Sequence, residues 1–167
     1  MTSVGIFGPK LSGKTTLARA LSERYWRQYK IRSLVLDPHE EQWGEQAKVF
    51  SDEDKFWLIV WKTEKCLVIV EEASATIRRE RELIPVFTRL RHHNHILLVI
   101  GHSGVDLLPT MRQQLDTLFL FRQPESAAKI WAETFTQNEL LQAVDLQQFE
   151  FIQTQLYKRP KRMKLKI

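Results

Sequence analysis

Short apolar runs alternate with amphipathic stretches along most of the chain. Residues 2–7, 32–37, 65–71, 95–101 and 117–121 form runs of strand length rich in Val, Ile, Leu and Phe. Residues 149–156 read as a late strand. Between them the apolar positions recur at helical spacing. Leu17, Ala20, Leu21, Tyr25 and Tyr29 predict a helix over 14–29. Ser51, with Asp54 three residues on, predicts a capped helix over 52–63. A helix over 79–91 is expected, broken or started near Pro85. A short one is expected over 109–115, and Thr136 with Glu139 predicts a capping box before a helix at 139–144.

The runs KCLVIVE and HILLVIG have no polar face. A strand apolar on both faces needs cover on both, which is the signature of a parallel sheet between helices. The expected class is therefore α/β, a mainly parallel sheet in three layers. Ligands in such folds bind outside the carboxyl ends of the strands, so the residues that follow each strand carry the functional question.

Composition narrows the class. The chain has 167 residues, 43% hydrophobic and 27% charged, which excludes wholesale disorder and suits one domain. No uninterrupted apolar run approaches the roughly 20 residues of a bilayer span, and the N-terminus lacks a secretory pattern, so no integral membrane segment is expected. The single cysteine, Cys66, excludes an intrachain disulfide and a CxxC metal site. An intracellular setting is expected. The chain has 25 Lys/Arg against 20 Asp/Glu, net +5. Six of those cations lie in the last eleven residues, YKRPKRMKLKI, which leaves the first 156 with 19 against 20. This predicts a main domain over 1–156 and a basic tail over 157–167, the tail suited to a phosphate polymer or an acidic partner, or simply solvated.

After the first strand comes Gly8-Pro9-Lys10-Leu11-Ser12-Gly13-Lys14-Thr15, a match to GxxxxGK[ST] at every fixed position. Glycines let backbone amides turn inward around phosphate oxygens, and the next helix adds its positive end. Lys14 would reach the β- and γ-phosphates of ATP, Thr15 would hold Mg²⁺, and Thr16 completes the nucleotide-binding set. The third strand ends in Glu71-Glu72. Hydrolysis needs a carboxylate beside the metal and a group that takes a proton from water. Glu71 is assigned the metal side and Glu72 the water.

The second strand ends in Asp37-Pro38, which places Asp37 near the nucleotide or in an Asx turn. The fourth ends in Gly101-His102, and His102 could sense the γ-phosphate by a hydrogen bond. His92, His93 and His95 lack companion ligands at metal spacing and read as helix-end and loop residues.

The phosphate loop, LVLDPHEEQW at 34–43, LVIVEEA at 67–73, the long segment at 89–122 and LQQFEFIQ at 146–153 together resemble the FtsK/HerA superfamily of DNA-pumping motors. Within it, the chain is similar to the small genome-packaging ATPases of tailless icosahedral phages with an internal membrane. The resemblance spans residues 3–155 or so and implies a RecA-like P-loop NTPase fold. It implies that Asp37-Pro38 follows the second strand and that His102 occupies the family's sensor position, where glutamine is usual. It implies that Arg91, with Arg89 close behind, is supplied to a neighbouring subunit's nucleotide, and that Arg122 follows the fifth strand. Glu71 stands where the family usually has aspartate. A homo-oligomeric ring, hexameric or pentameric, acting on double-stranded DNA at a capsid vertex, in the host cytoplasm or on the virion, is the implied setting.

The expected function is an ATP-hydrolysing ring motor that packages a viral genome. Three other readings fit parts of the sequence: a small-molecule P-loop kinase, a filamentous-phage-type assembly ATPase, and a scaffold that binds ATP without turnover. The Arg-rich lid common in such kinases is not evident late in the chain. The adjacent glutamates favour hydrolysis.

Overall fold

A computed structural model describes residues 3–71 and 83–166. In chain order the strands are β1 (Ser3–Phe7), β2 (Ser33–Leu36), β3 (Ala47–Phe50), β4 (Leu67–Val70), β5 (Ile96–Gly101), β6 (Thr117–Phe121), β7 (Glu150–Gln155) and β8 (Lys158–Lys164). The described helices are α1 (Lys14–Tyr29), α2 (Glu53–Lys62), α3 (Leu83–His92), α4 (Pro109–Arg112) and α5 (Glu125–Phe135). A 3-10 stretch follows over Asn138–Asp145.

The strands form one sheet in the order β3-β2-β4-β5-β1-β6-β7-β8. The first six are mutually parallel; β7 runs antiparallel to β6, and β8 antiparallel to β7. Successive strand residues face opposite sides, and each side has its own core. Val4, Ile6, Leu67, Ile69, Leu98 and Ile100 pack with α1 residues Leu17 and Ala18. Phe7, Val68, Val70, Leu97, Val99, Leu118 and Leu120 pack on the other side with Phe56 of α2, Leu90 of α3 and Trp131 of α5. The sheet is thus covered on both faces, as the unbroken apolar strands required. Phe7 is fully buried and meets Trp131 with ring centroids 4.7 Å apart. Its ring needs Gly101 opposite it, because a Cβ there would come within 2.7 Å of it.

Several expectations change. The edge strand β3 was not anticipated, because AKVF is only half-buried and carries little apolar signal. Asp52, not Ser51, caps α2, accepting the Lys55 amide at 3.0 Å. Helix α5 was missed because alanines carry much of its buried stripe: Ala127, Ala128, Trp131, Ala132 and Phe135. Thr136 therefore ends α5 in a left-handed conformation, φ 55°, rather than starting a helix, and 139–144 is 3-10. The segment expected as a tail beyond residue 156 runs as β8, the sheet's outer strand. Edge strands need no apolar side chains, and lysines and proline on an edge discourage further strand pairing. Of the 79–91 expectation, only the part from 83 onward falls among the described residues.

His95 is buried and structural. Its Nδ1 accepts the Cys66 amide (3.1 Å), so Nε2 carries the hydrogen and donates to the Val60 carbonyl (2.9 Å). Burial holds its pKa below the usual histidine value. Among the described residues no cluster of His, Cys, Asp and Glu could hold a metal ion by itself, and no helix is long and apolar enough to cross a membrane.

Phe7→Ala should cost about 3–5 kcal/mol of unfolding free energy, the range for a fully buried aromatic. Urea unfolding of the variant checks it, with a lower midpoint and an unchanged slope expected.

Candidate active site

The chain leaves β1 at Phe7 and turns at once. The Gly8 amide donates to the Gly101 carbonyl at 3.2 Å, which locks the start of the loop to the end of β5. Gly13 closes the loop with φ 104°, a left-handed value that favours glycine. It also lacks room for a side chain: a Cβ would stand 2.6 Å from Leu165 Cδ1 and 3.1 Å from Phe149 Cδ1. Helix α1 starts at Lys14 with no acidic residue in its first turn and no side-chain cap. Its N-terminal amides and positive end are therefore available to an anion.

A cavity of about 410 Å³ opens over this loop. Lys10 to Thr16 line it, together with Arg19, Glu41, Glu71 and His102. Lys14 Nζ donates to the Pro9 carbonyl at 2.7 Å, curling over the loop it serves. Thr15 Oγ1 donates to Glu71 Oε1 at 2.7 Å. The two residues that the sequence analysis assigns to the metal side are hydrogen-bonded to each other across 56 positions. Glu71 Oε2 is buried and, among the described residues, has no hydrogen-bond partner. Desolvation by burial pushes the Glu71 carboxyl above its usual range; the Thr15 hydrogen bond and Lys14 pull it back, and Asp37 and Glu41 push it further up. A hydroxyl and a half-satisfied carboxylate beside an anion-binding loop are a fitting oxygen donor set for Mg²⁺.

The order of strands explains the grouping. Strand β5 lies between β1 and β4, so its end projects between the phosphate loop and Glu71. His102 sits there, exposed at the rim of the cavity. Its backbone carbonyl accepts Gln123 Nε2 at 3.0 Å, which ties the end of β5 to the end of β6. A second cavity of about 880 Å³ adjoins at His102 and is lined in part by Pro9 and Arg122.

Other expected residues stand elsewhere. Asp37 does not line the nucleotide cavity. It is buried, and its carboxylate accepts the amides of His39 (2.9 Å) and Glu41 (3.1 Å) and the Trp43 indole N–H (3.1 Å). It is the Asx-turn organiser of the loop after β2, because a buried carboxylate must satisfy its lone pairs locally. Arg91 and Arg89 lie in the last turn of α3. Arg91 reaches Gln114 (3.4 Å), next to the start of β1, and Arg89 lies over the Trp61 ring, 4.6 Å from its centroid. Both are at the sheet edge opposite the phosphate loop, so neither serves the cavity of its own chain. Glu72 falls outside the described residues.

The structure adds two residues that sequence reasoning passed over. Arg19 and Glu41 line the cavity and form an ion pair, with the Arg19 guanidinium 5.5 Å from the Trp43 ring centroid. Arg19 is four residues after Thr15, one helical turn along the same face, which was a readable signal.

No protein-family model matches the chain, and no curated protein sequence does. Solved structures do. B204, the DNA-packaging ATPase of Sulfolobus turreted icosahedral virus, superposes with a TM-score of 0.80 at 19% identity, over 98% of this chain and 97% of that one. The genome-packaging NTPase B204 of Sulfolobus turreted icosahedral virus 2, in complex with AMPPCP, gives 0.81 at 20% identity over 98% and 96%. The chain has the P-loop NTPase fold. VirB4 of Thermoanaerobacter pseudethanolicus shares it more loosely, with a TM-score of 0.52 at 17% identity over 76% of this chain and 43% of that one. The architecture is thus the one that the FtsK/HerA resemblance implied.

Glu71→Gln should remove the metal-dependent part of nucleotide-induced stabilisation. Thermal melts with nucleotide, with and without Mg²⁺, read it directly. The metal-free variant should also be the more stable of the two at neutral pH. With its pKa raised, folded Glu71 holds its proton where the unfolded chain releases it. Stability is therefore lost as pH rises from the ordinary carboxylate value through the raised one.

Proposed function

We propose that this chain is an ATP-hydrolysing ring motor that translocates double-stranded DNA, a viral genome-packaging ATPase. The observation that carries the reading is the Thr15–Glu71 pair, whose second carboxylate oxygen has no partner among the described residues, facing a complete phosphate loop within a B204-like fold. B204 has been solved with AMPPCP and with ATP-γS, which supports ATP as the nucleotide here.

In this reading the loop amides of residues 8–13 and Lys14 hold the β- and γ-phosphates. Thr15 and Glu71 would hold Mg²⁺, which neutralises charge developing on the phosphate oxygens. Glu72 takes a proton from water as the water oxygen bonds to the γ-phosphorus and the bond to the β,γ-bridging oxygen breaks, giving ADP and phosphate. His102, at the rim beside the phosphate loop, hydrogen-bonds the γ-phosphate and signals its presence. Arg91 serves a neighbour. Its place at the edge opposite its own phosphate loop suits a group that acts only across an interface of a pentameric or hexameric ring. There it stabilises charge in the transition state. Capsid vertex proteins are the docking partner, and the host cytoplasm or the packaging vertex is the place of action.

Lys14→Ala should abolish nucleotide binding or hydrolysis; near-normal turnover would remove the phosphate-site assignment. Glu72→Gln should bind ATP and lose hydrolysis by about a hundredfold or more, since an amide cannot take the proton. If Glu71→Gln proves the more damaging to hydrolysis while still binding nucleotide, the two roles are exchanged.

Arg91→Ala should lose ATPase activity with monomer nucleotide affinity intact. Mixing it with Glu72→Gln protein should restore part of the activity, because some interfaces then hold both intact groups. Restoration by Arg89→Ala instead transfers the role to Arg89. Full activity of both arginine variants sinks the shared site. ATPase activity indifferent to duplex DNA sinks the motor and leaves a kinase or a scaffold.

A further inference from the structure

The outer strand β8 is KRPKRMK, five cations in seven residues, all five exposed. Among the described residues its one ion pair is Arg162 with Glu150 (2.6 Å). At the β7–β8 turn a shallow concavity of about 210 Å³ is lined by Gln153, Lys158, Arg159 and Lys161, with Thr154 and Gln155, and by no carboxylate. Arg159 and Lys161 are two residues apart on an extended strand, so they stand on one face. Lys161 pairs with Gln153, whose neighbours Phe151 and Met163 place this face on the α1 side of the sheet. Gln153 also borders a larger groove of about 520 Å³ against α1, where Arg24, Tyr25, Gln28 and Tyr29 stand. The two depressions share Gln153 and make one track from α1 to the sheet edge, basic at the β7–β8 turn and mixed along α1, where Leu21, Ile31 and Ile96 stand beside Arg24.

We propose that this track, centred on Lys158, Arg159 and Lys161, is a contact surface for the sugar-phosphate backbone of duplex nucleic acid. The inference rests on the motor reading and gives its DNA a place on the subunit. Charge selects the occupant. A concavity with three cations, hydrogen-bonding amides and no acid complements a phosphodiester chain. Addition of a partner strand is disfavoured, because Pro160 has no N–H to offer and adjacent lysines repel a neighbouring strand. A second copy of this chain answers the charge poorly, since the first 156 residues are close to neutral. Backbone contact carries no sequence information, which suits a protein that must accept every base pair passing it.

The test is fluorescence anisotropy with a labelled random-sequence duplex at several salt concentrations. It compares the full chain with the triple variant Lys158→Ala, Arg159→Ala, Lys161→Ala. Each phosphate neutralised contributes about −0.9 to the slope of log K against log salt, so the variant's slope should be shallower by roughly 2 to 3. The charge-conserving set Lys158→Arg, Arg159→Lys, Lys161→Arg should keep the parent slope, and nucleotide affinity should be the same in all three. If the parent binds duplex and the triple variant keeps its slope, the track is overturned and the motor reading stands. The same holds if the slope is kept and the variant elutes from a sizing column as a smaller oligomer, which assigns β8 to assembly. A parent that binds no duplex at any salt, with ATPase activity unmoved by DNA, overturns both.

Discussion

The parallel register of β1, β5 and β4 is the constraint on which the site depends. Gly8, Glu71 and His102 each follow the last residue of a different strand, and they meet only because those strands end at one edge. Burial on both faces enforces the register. Val68 and Val70 face one core, Leu67 and Ile69 the other, so a slip of one residue would exchange two full sets of packed side chains. The close approach of Phe7 to the backbone at Gly101 adds a steric key between β1 and β5. Rigid packing beneath the edge is what allows short loops to carry chemistry above it.

That edge concentrates charge in an unfavourable way until a ligand comes. Glu71 is half-buried near two other carboxylates, Asp37 and Glu41, and one of its oxygens lacks a partner among the described residues. Asp37 is answered by three N–H donors and Glu41 by Arg19, so their costs are met within the protein. Among the described residues, Glu71 is hydrogen-bonded by Thr15 on one oxygen and sees Lys14 through space. The imbalance is a local sacrifice of stability, which suits the divalent cation proposed for this site. It also separates the three acids: one shapes a loop, one holds a helix residue, and one pairs with Thr15 alone among the described residues.

Much of this was legible because its signals are short and local. The phosphate loop is a run of eight residues, and the carboxylate that bonds Thr15 directly follows an unbroken apolar strand. The sheet's handed alternation followed from strands with no polar face. What was not legible depends on distance. Asp37 carries the same aspartate-proline pattern whether it faces a nucleotide or its own loop, and only the positions of the Glu41 amide and the Trp43 indole decide. Helix α5 hid behind alanines, whose small side chains blur the apolar contrast although they suit close packing beside Trp131. Strand β8 hid behind its charge, because an edge strand is held by backbone hydrogen bonds that no hydropathy pattern reveals.

The ends of the β7–β8 hairpin give that hidden strand a mechanical meaning. Both return to the phosphate loop. Gln148, just before β7, donates from Nε2 to the Leu11 carbonyl at 3.1 Å. Leu165, just after β8, donates its amide to the Phe149 carbonyl at 2.9 Å and rests its side chain on Gly13. Gly13 holds a left-handed conformation with no free volume beside it, so the loop cannot shift at that point without moving Leu165 or Phe149. The hairpin is thus a stiff arm of two paired strands, with a basic track near its far turn and the phosphate loop at its root. Six residues of β7 at about 3.4 Å each make the arm roughly 20 Å long. On the proposed reading, a load on cations along β8 would reach the residues packed beside Gly13 through the β7–β8 backbone hydrogen bonds. The chain therefore joins its basic outer strand to its phosphate loop through hydrogen bonds and packing.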